Sequence, residues 1–414
     1  MKIPPMLPEF PAKRKTLLQW MQRGLAAVDP ERRTAAAIRE LDVSGLSVDR
    51  CAVLAFGKCS PGMVRGAFET LGERIVDGRV IGPASAFNDQ SPIPFLPGNH
   101  PVPGVDSVGS GEEIRRWLAE LEPDLPLFVL ISGGGSAMIE IPVPGMSLAQ
   151  LEHLNAWLLS SGLDIGSVNA IRARFSCVKR GGLLRLAGKR PVTGLAISDV
   201  PDDRFEVIAS GPLSPGDDDW PVNPLPEWLQ AMHENLPVPA AATQLADVET
   251  RIIARNADMR DAVAACAKDL GVAVCRHATL QGDAEQQGKH LAHVLRDGGK
   301  GVYLFGGETT VQLPPVSGRG GRNQHLALAA ALELEGRDDI LLLSLGTDGI
   351  DGNTPDAGAI VEGGTVRRVH DAGLDAAECL RTADSNTALA AAGDVINTGP
   401  TGTNVSDIAI GWKF

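Results

Sequence analysis

The string with the most chemical content is Ser132-Gly133-Gly134-Gly135-Ser136, directly after the apolar run 127–131. Successive glycines let the backbone curl so that several N–H groups converge on an anion with no Cβ in the way. A helix opening behind the loop would add its positive end; a flexible turn is the plainer alternative. A second set of such strings lies in the other half of the chain. Gly306-Gly307-Glu308-Thr309-Thr310 ends one apolar run, and Gly346-Thr347-Asp348-Gly349-Ile350-Asp351-Gly352 ends another. Gly318-Arg319-Gly320-Gly321-Arg322-Asn323-Gln324 opens an expected helix, and Thr398-Gly399-Pro400-Thr401-Gly402-Thr403-Asn404 stands near the C-terminus. An arginine at a helix mouth beside glycines suits a planar, two-pronged hold on phosphate or carboxylate. A solvated surface arginine fits the spacing too. Asp199, Asp348 and Asp351 follow apolar runs and suit Mg²⁺, which takes one or two carboxylates plus phosphate oxygens. An Asp-Gly turn explains Asp348-Gly349 equally well.

Neither standard nucleotide motif is complete. Against G-x-G-x-x-G, the string from Gly133 fits until Met138 replaces the last glycine. Against the P-loop, Gly57-Lys58 supplies the right pair, but Ala52 stands at the first glycine and Cys59 at the Ser/Thr position.

The elements that must position these residues follow from the hydrophobic pattern. Residues 16–28 carry a helical stripe closed by Asp29-Pro30, and 51–56 read as a buried strand ending in Gly57-Lys58. Further strands are expected at 79–82, 127–131, 192–198, 251–254, 272–276, 302–305 and 340–345. Helices are expected at 61–71, 151–159, 258–270, 283–296 and 324–333. Apolar strands ending in Gly, Ser or Asp before a helix give the βα rhythm of a parallel α/β sheet. In such sheets ligands bind at the carboxyl ends of the strands. Prolines crowd residues 208–250, including Pro221, Pro224 and Pro237, and the inter-domain connection is expected there.

Gly and Pro together make about 18% of the 414 residues, above ordinary usage of ~12% but below the ~25–30% that signals disorder. Two domains are expected for this length. Lys and Arg number 38 against 51 Asp and Glu, a net charge of −13, and aromatics are 4%. That balance disfavours nucleic acid as a partner. No apolar run approaches the ~18 residues of a membrane span. The six cysteines show no zinc spacing or CxxC pair, and no secretory signal is visible, so a reducing, cytoplasmic setting is expected.

Taken together, these strings resemble the glycerate 2-kinase family, two-domain kinases with a MOFRL-type C-terminal domain that were long mis-labelled hydroxypyruvate reductases. Besides the glycine strings, the resemblance rests on Leu25-Ala-Ala-Val-Asp-Pro30, Gly57-Lys58, Gly98-Asn-His-Pro-Val-Pro103, Ser198-Asp-Val200 and Val207-Ile-Ala-Ser-Gly-Pro212. They run in family order along essentially the whole chain. The resemblance implies an α/β protein with a Rossmann-like domain over 1–240 and a mixed-sheet MOFRL-type domain over 241–414, the active-site cleft lying between them. It implies ATP-dependent phosphorylation of D-glycerate at its 2-hydroxyl with Mg²⁺, giving 2-phosphoglycerate, by a monomer or homodimer. The family's functional lysine maps to Lys58 and its arginine to Arg322. Both suit phosphoryl transfer, which needs cations and positioning more than covalent help. Asp199 is taken as the acceptor of the hydroxyl proton. Ser132 to Ser136, Gly307, Glu308, Thr309, Asn323, Thr401 and Asn404 are assigned to the nucleotide and its phosphates. Arg172 and Lys179 are assigned to the substrate, and Asp199, Asp348 and Asp351 to the metal.

Departures from the family pattern cluster in one stretch. Ala173 stands for a lysine, Arg174 for a histidine, Arg180 is extra, and Arg204 replaces a carboxylate. They leave room for a related hydroxy acid as substrate, or for a weakened relative that only binds. A hydroxypyruvate reductase using NAD(P)H is the other rival, and the incomplete dinucleotide motif counts against it.

Overall fold

The computed structural model describes residues 10–43, 48–86, 91–163, 165–215, 220, 225–239, 247–277 and 279–414. They form two compact units, one of Pro30–Ala254 and one joining Arg255–Phe414 to the N-terminal segment up to Asp29. The architecture is α/β, with one parallel and one mixed sheet.

The first unit holds six parallel strands: β1 (Cys51–Phe56), β2 (Ile75–Gly82), β3 (Phe95–Pro97), β4 (Leu127–Ile131), β5 (Val192–Ile197) and β6 (Val248–Ala254). Their order, β3-β2-β1-β4-β5-β6, is that of the doubly wound dinucleotide-binding sheet. Every residue of β1 and β4 is buried, which is why both read as unbroken apolar runs rather than alternating ones. Ile114, Trp117 and Leu118 of helix Val105–Glu120 and Leu183 and Leu184 of helix Gly182–Ala187 close one core cluster with them. A second cluster joins helices Leu148–Ser160, Ile165–Arg174 and Glu227–Asn235 through Leu154, Ile171, Phe175, Leu229 and Met232.

The second unit is built on seven strands: β7 (Val274–Arg276), β8 (Leu280–Asp283), β9 (Gly301–Thr310), β10 (Ile340–Gly346), β11 (Gly358–Glu362), β12 (Val395–Ile396) and β13 (Asp407–Lys413). The order is β12-β11-β10-β13-β9-β7, with β8 also pairing β9. Pairings from β12 to β9 are antiparallel, and those of β7 and β8 with β9 are parallel. Helix Arg322–Glu333 lies deepest, its residues 323–331 all buried among apolar side chains that include Leu291, Leu295 and Leu342.

The boundary expected at 240/241 falls outside the described residues, as do Pro221 and Pro224; the compact units divide after Ala254. β6 completes the parallel sheet beside β5, and Leu229 and Met232 of helix Glu227–Asn235 join the first unit's second cluster. The helix expected at 16–28 runs Phe10–Ala27 and belongs to the second unit rather than the first. Its Trp20 packs against Trp412 at 4.8 Å between ring centres, Phe10 meets Phe414 at 5.7 Å, and Arg14 pairs with Asp394 at 2.9 Å.

Candidate active site

Strands on either side of the β1–β4 border continue in opposite directions across the sheet, so loops leaving these two strands open a crevice there. Gly57-Lys58 leaves β1, and Ser132–Ser136 leaves β4. The two loops are tied to one another: Lys58 N donates to Gly133 O at 2.9 Å, and Cys59 N donates to Ser132 Oγ at 3.0 Å. Gly57 adopts φ +114°, and a Cβ there would collide with Ser132, so only glycine permits this approach. Gly134, at φ +78°, turns the chain into the single helical turn Gly135–Met138. The N–H groups of Gly133 and Gly134 have no acceptor among the described residues. Lys58 itself is half-buried.

Behind the serine-glycine loop stands a strained support. Ala209, Ser210 and Gly211 all have positive φ, at +51°, +62° and +64°. Left-handed non-glycine residues cost roughly 1–3 kcal/mol each and cluster at functional sites. Ser210 Oγ lies 2.8 Å from Ser136 Oγ and donates to Asn169 Oδ1 at 2.9 Å, so the strain places a hydroxyl against the loop. Asp199 follows β5, the next strand along, and is half-buried.

The substrate residues expected in the middle of this unit have separate settings. Arg172 is half-buried, with Nε donating to Asn155 Oδ1 at 3.1 Å; burial pushes its guanidinium down, and Glu140 opposes that. Lys179 is 2% exposed and forms an ion pair with Glu140, whose other oxygen accepts from Ser176 Oγ at 2.5 Å. Burial pushes the Lys179 ammonium down despite that partner. The ammonium is therefore committed to Glu140. Lys179→Met leaves a buried carboxylate alone and is expected to destabilise the fold by about 3–5 kcal/mol. Glu140→Leu in the same chain is expected to restore most of the loss, read by urea unfolding. A purely ligand-binding Lys179 would leave stability unmoved.

Two of the departures from the family pattern make structural contacts in this setting. Arg174 is buried and caps the end of helix Glu227–Asn235, donating to the carbonyls of His233, Leu236 and Pro237 and to His233 Nδ1. Arg204 pairs with Glu206 on the surface at 2.7 Å.

In the second unit the expected glycine loop after 302–305 is strand instead. β9 runs on to Thr310: Gly306 pairs with Ile408 and Gly307 with Asp407 on one side, while Leu280 flanks Gly307 on the other. Gly307 has φ +140°, and a Cβ there would strike the Leu280 backbone, so the glycine serves close strand approach. Thr309 is correspondingly buried.

Asp407, the first residue of β13, sits between Gly346 of β10 and Gly307 of β9 and is 3% exposed. Arg322, opening helix Arg322–Glu333, holds it with both prongs, Nε to Oδ2 at 2.6 Å and Nη2 to Oδ1 at 2.9 Å. Its third nitrogen reaches Glu308 at 2.9 Å. Burial works against this guanidinium, and Asp407 outweighs it, raising it above its ordinary value. A Cβ on Gly346 would lie 3.3 Å from Asp348 Oδ1 and 3.5 Å from Asp407 Oδ1, so two carboxylates converge across that glycine. Asp348 also accepts from Ile350 N at 3.2 Å, closing its turn.

Asn323 and Asp351 turn inward. Asp351 is 2% exposed and accepts from the backbone N–H groups of Asn323 at 3.1 Å and Gln324 at 2.8 Å, so a protein carboxylate already occupies the positive end of this helix. Asn323 bonds Ser344 at 2.7 Å. Thr401 Oγ1 donates to Thr347 O at 2.5 Å, and Asn404 is largely buried. Burial pushes the Asp351 carboxyl up to about 6, against the two N–H bonds. Its contribution to stability is thus full below the ordinary value of 3.8 and lost as the pH rises through about 6. The stability of the protein relative to Asp351→Asn is expected to fall across that window, measured by unfolding at each pH. A constant difference would deny the shift.

The structure thus brings Lys58 together with Ser132 and Gly133, and groups Arg322, Glu308, Asp407 and Asp348. It separates Asn323, Asp351 and Lys179 from any open surface. Sequence reasoning missed Asp407, Glu140 and Ser210. For Asp407 the available signal was an acid three residues beyond the Thr398–Asn404 string, opening a final apolar run.

Comparison with known proteins accords with this architecture. Residues 16–244 match the family described as "Domain of unknown function (DUF4147)", and residues 301–407 match the MOFRL family. D-glycerate 2-kinase of Thermotoga maritima is 32% identical over 96% of this chain and 98% of its own length. A protein of Agrobacterium vitis named putative hydroxypyruvate reductase is 36% identical over 87% of this chain and 98% of its own. The crystal structure of glycerate kinase from Thermotoga maritima superposes with a TM-score of 0.83 at 31% identity, covering 97% of this chain and all of that one. With both domain matches in order and this identity across nearly its full length, the chain belongs to the glycerate 2-kinase family.

Proposed function

We propose that this chain transfers the γ-phosphoryl group of ATP to the 2-hydroxyl of D-glycerate, releasing ADP and 2-phosphoglycerate. The observation that carries the reading is Lys58 bonded through its backbone to the serine-glycine loop at the switch point of a doubly wound sheet. There a lysine and N–H groups without acceptors meet where an anion would lie. Phosphoryl transfer asks for that arrangement, since the charge spreads over equatorial oxygens and the protein supplies placement and counter-charge. Lys58 neutralises the transferring group, Asp199 takes the hydroxyl proton, and Arg172, steadied by Asn155, takes the glycerate carboxylate. Lys179 positions this region through Glu140. Arg322, fixed by Asp407, presents a guanidinium of set orientation to an anionic group. Asp348 is the second unit's carboxylate that would hold Mg²⁺; bound there, the ion would offset charge on phosphate oxygens. Asp351, committed to helix N–H groups, does not join it. Six free cysteines support a reducing, cytoplasmic setting, with the chain acting as a monomer or homodimer.

The test is ADP release from Mg-ATP across a panel of hydroxy acids, with product identified by NMR. D-glycerate is expected to be the best acceptor and 2-phosphoglycerate the product. No turnover with any acid would defeat the proposal. NADH consumption with hydroxypyruvate, measured alongside, is expected to be nil: the position of the last glycine in the dinucleotide motif is Met138, buried in the core.

A further inference from the structure

A cavity of about 490 Å³ lies wholly within the second unit, beside the Arg322 end of helix Arg322–Glu333. Its lining includes Val311, Leu313, His325 and Ser385, with Glu308 and Arg322 on its wall. Two polar atoms of this lining are buried and unanswered. His325 Nδ1 and Ser385 Oγ have no hydrogen-bond partner among the described residues, although the two side chains are 6% and 1% exposed. Buried polar groups are nearly always satisfied, and an orphan pair in one cavity wall points to a ligand that answers them.

The chemistry of the wall narrows that ligand. The volume falls within the ~300–1,000 Å³ of small-molecule sites and far exceeds what a three-carbon acid fills. A carboxylate or phosphate deep in the cavity would face an uncharged hydroxyl and an imidazole that burial holds toward its neutral form. Neutral imidazole and hydroxyl each donate or accept, which matches the alternating donors and acceptors on the edge of a flat heterocycle. Val311 and Leu313 offer apolar contact, Leu313 being 68% exposed as things stand. At the wall Glu308 can accept from sugar hydroxyls, and Arg322 carries the positive charge that phosphates would follow.

We propose that this cavity receives the nucleoside of the phosphoryl donor, the base lying against His325 and Ser385 and the phosphates leading away past Arg322. The inference rests on the kinase reading above, and it places base recognition in the MOFRL half of the chain, where no standard nucleotide motif stands.

Calorimetric titration with ADP and photolabelling with an azido-adenine ADP test it directly. His325→Phe and Ser385→Ala, each verified as folded by circular dichroism, are expected to weaken ADP binding roughly tenfold, as loss of a buried hydrogen bond does. The KM for ATP should rise in step while the KM for D-glycerate stays unmoved. The label should fall in the peptides carrying residues 308–325 or 383–386, and excess ADP should suppress it. Label confined to 57–60 or 132–138, unchanged ADP affinity in both variants, or a shift in the D-glycerate KM alone would overturn the proposal. A protein that binds and labels as expected but turns over no acid would defeat the kinase reading and leave the cavity assignment standing; one that binds no ADP defeats the assignment.

Discussion

Lys58→Ala is expected to lower kcat with D-glycerate by about 10²–10³-fold, the effect of removing one pre-placed charge partner from a transition state. The fold should survive. The loop is held by the backbone nitrogens of residues 58 and 59 and by the Ser132 hydroxyl, none of which depends on the lysine side chain. β1 remains wholly buried whatever residue 58 carries. Steady-state rates beside circular dichroism and thermal unfolding separate the two effects. An unaltered kcat would remove Lys58 from the chemistry, and an unfolded variant would show that the side chain serves the loop after all.

Arg322→Ala is expected to fail in two ways at once. It strips Asp407 of its cation in a place that is 3% exposed, and breaking such a pair costs about 3–5 kcal/mol. Arg322 itself keeps 35% of its side chain accessible, so solvent softens the loss and the lower end, about 3 kcal/mol, is expected. Turnover should fall by roughly 10²-fold or more as the oriented guanidinium disappears. Arg322→Lys separates the contributions. One ammonium can still answer Asp407, but it cannot bond both its oxygens in parallel and also reach Glu308. Most of the stability should return in the lysine variant, and most of the activity should not. Activity restored by lysine would mean that charge, not the planar fork, is what the site needs.

How far these residues could be read in advance follows from where each side chain ends up. β1 and β4 were visible because strands covered on both faces carry unbroken apolar runs, and β5 and β10 because theirs are interrupted only by Thr193, Gly194 and Ser344. β9 was cut short at Phe305, since paired glycines signal a loop locally; pairing with β13 and, at Gly307, with Leu280 of β8 makes them strand residues. The helix Phe10–Ala27 was recognisable from its stripe, but its allegiance was not, because Trp20 and Phe10 find partners near the other end of the chain, Trp412 and Phe414. Lys58 and the serine-glycine loop were legible as loop residues following buried strands. That the two loops are bonded to each other is a tertiary fact. Asn323 was read at a helix mouth and Asp351 after a strand; that the carboxylate bonds that helix's N–H groups, and Asn323 bonds Ser344, is settled only by tertiary burial. Arg174 and Arg204 suggested altered specificity, and their contacts account for them as a helix cap and a surface pair.

The pairing of β13 between β9 and β10 has a consequence for biosynthesis. The first unit is continuous in sequence, so it can fold on the ribosome once Ala254 has emerged. The second unit cannot. Its interior strand β13 follows its helix Phe10–Ala27 only after the whole first unit, so that helix must wait for the entire intervening unit. At ~5–20 residues per second, the wait lasts tens of seconds. Because Asp407 opens that strand, a nascent chain cannot assemble its arginine clamp before β13 has emerged, and a chain cut short of residue 407 has none.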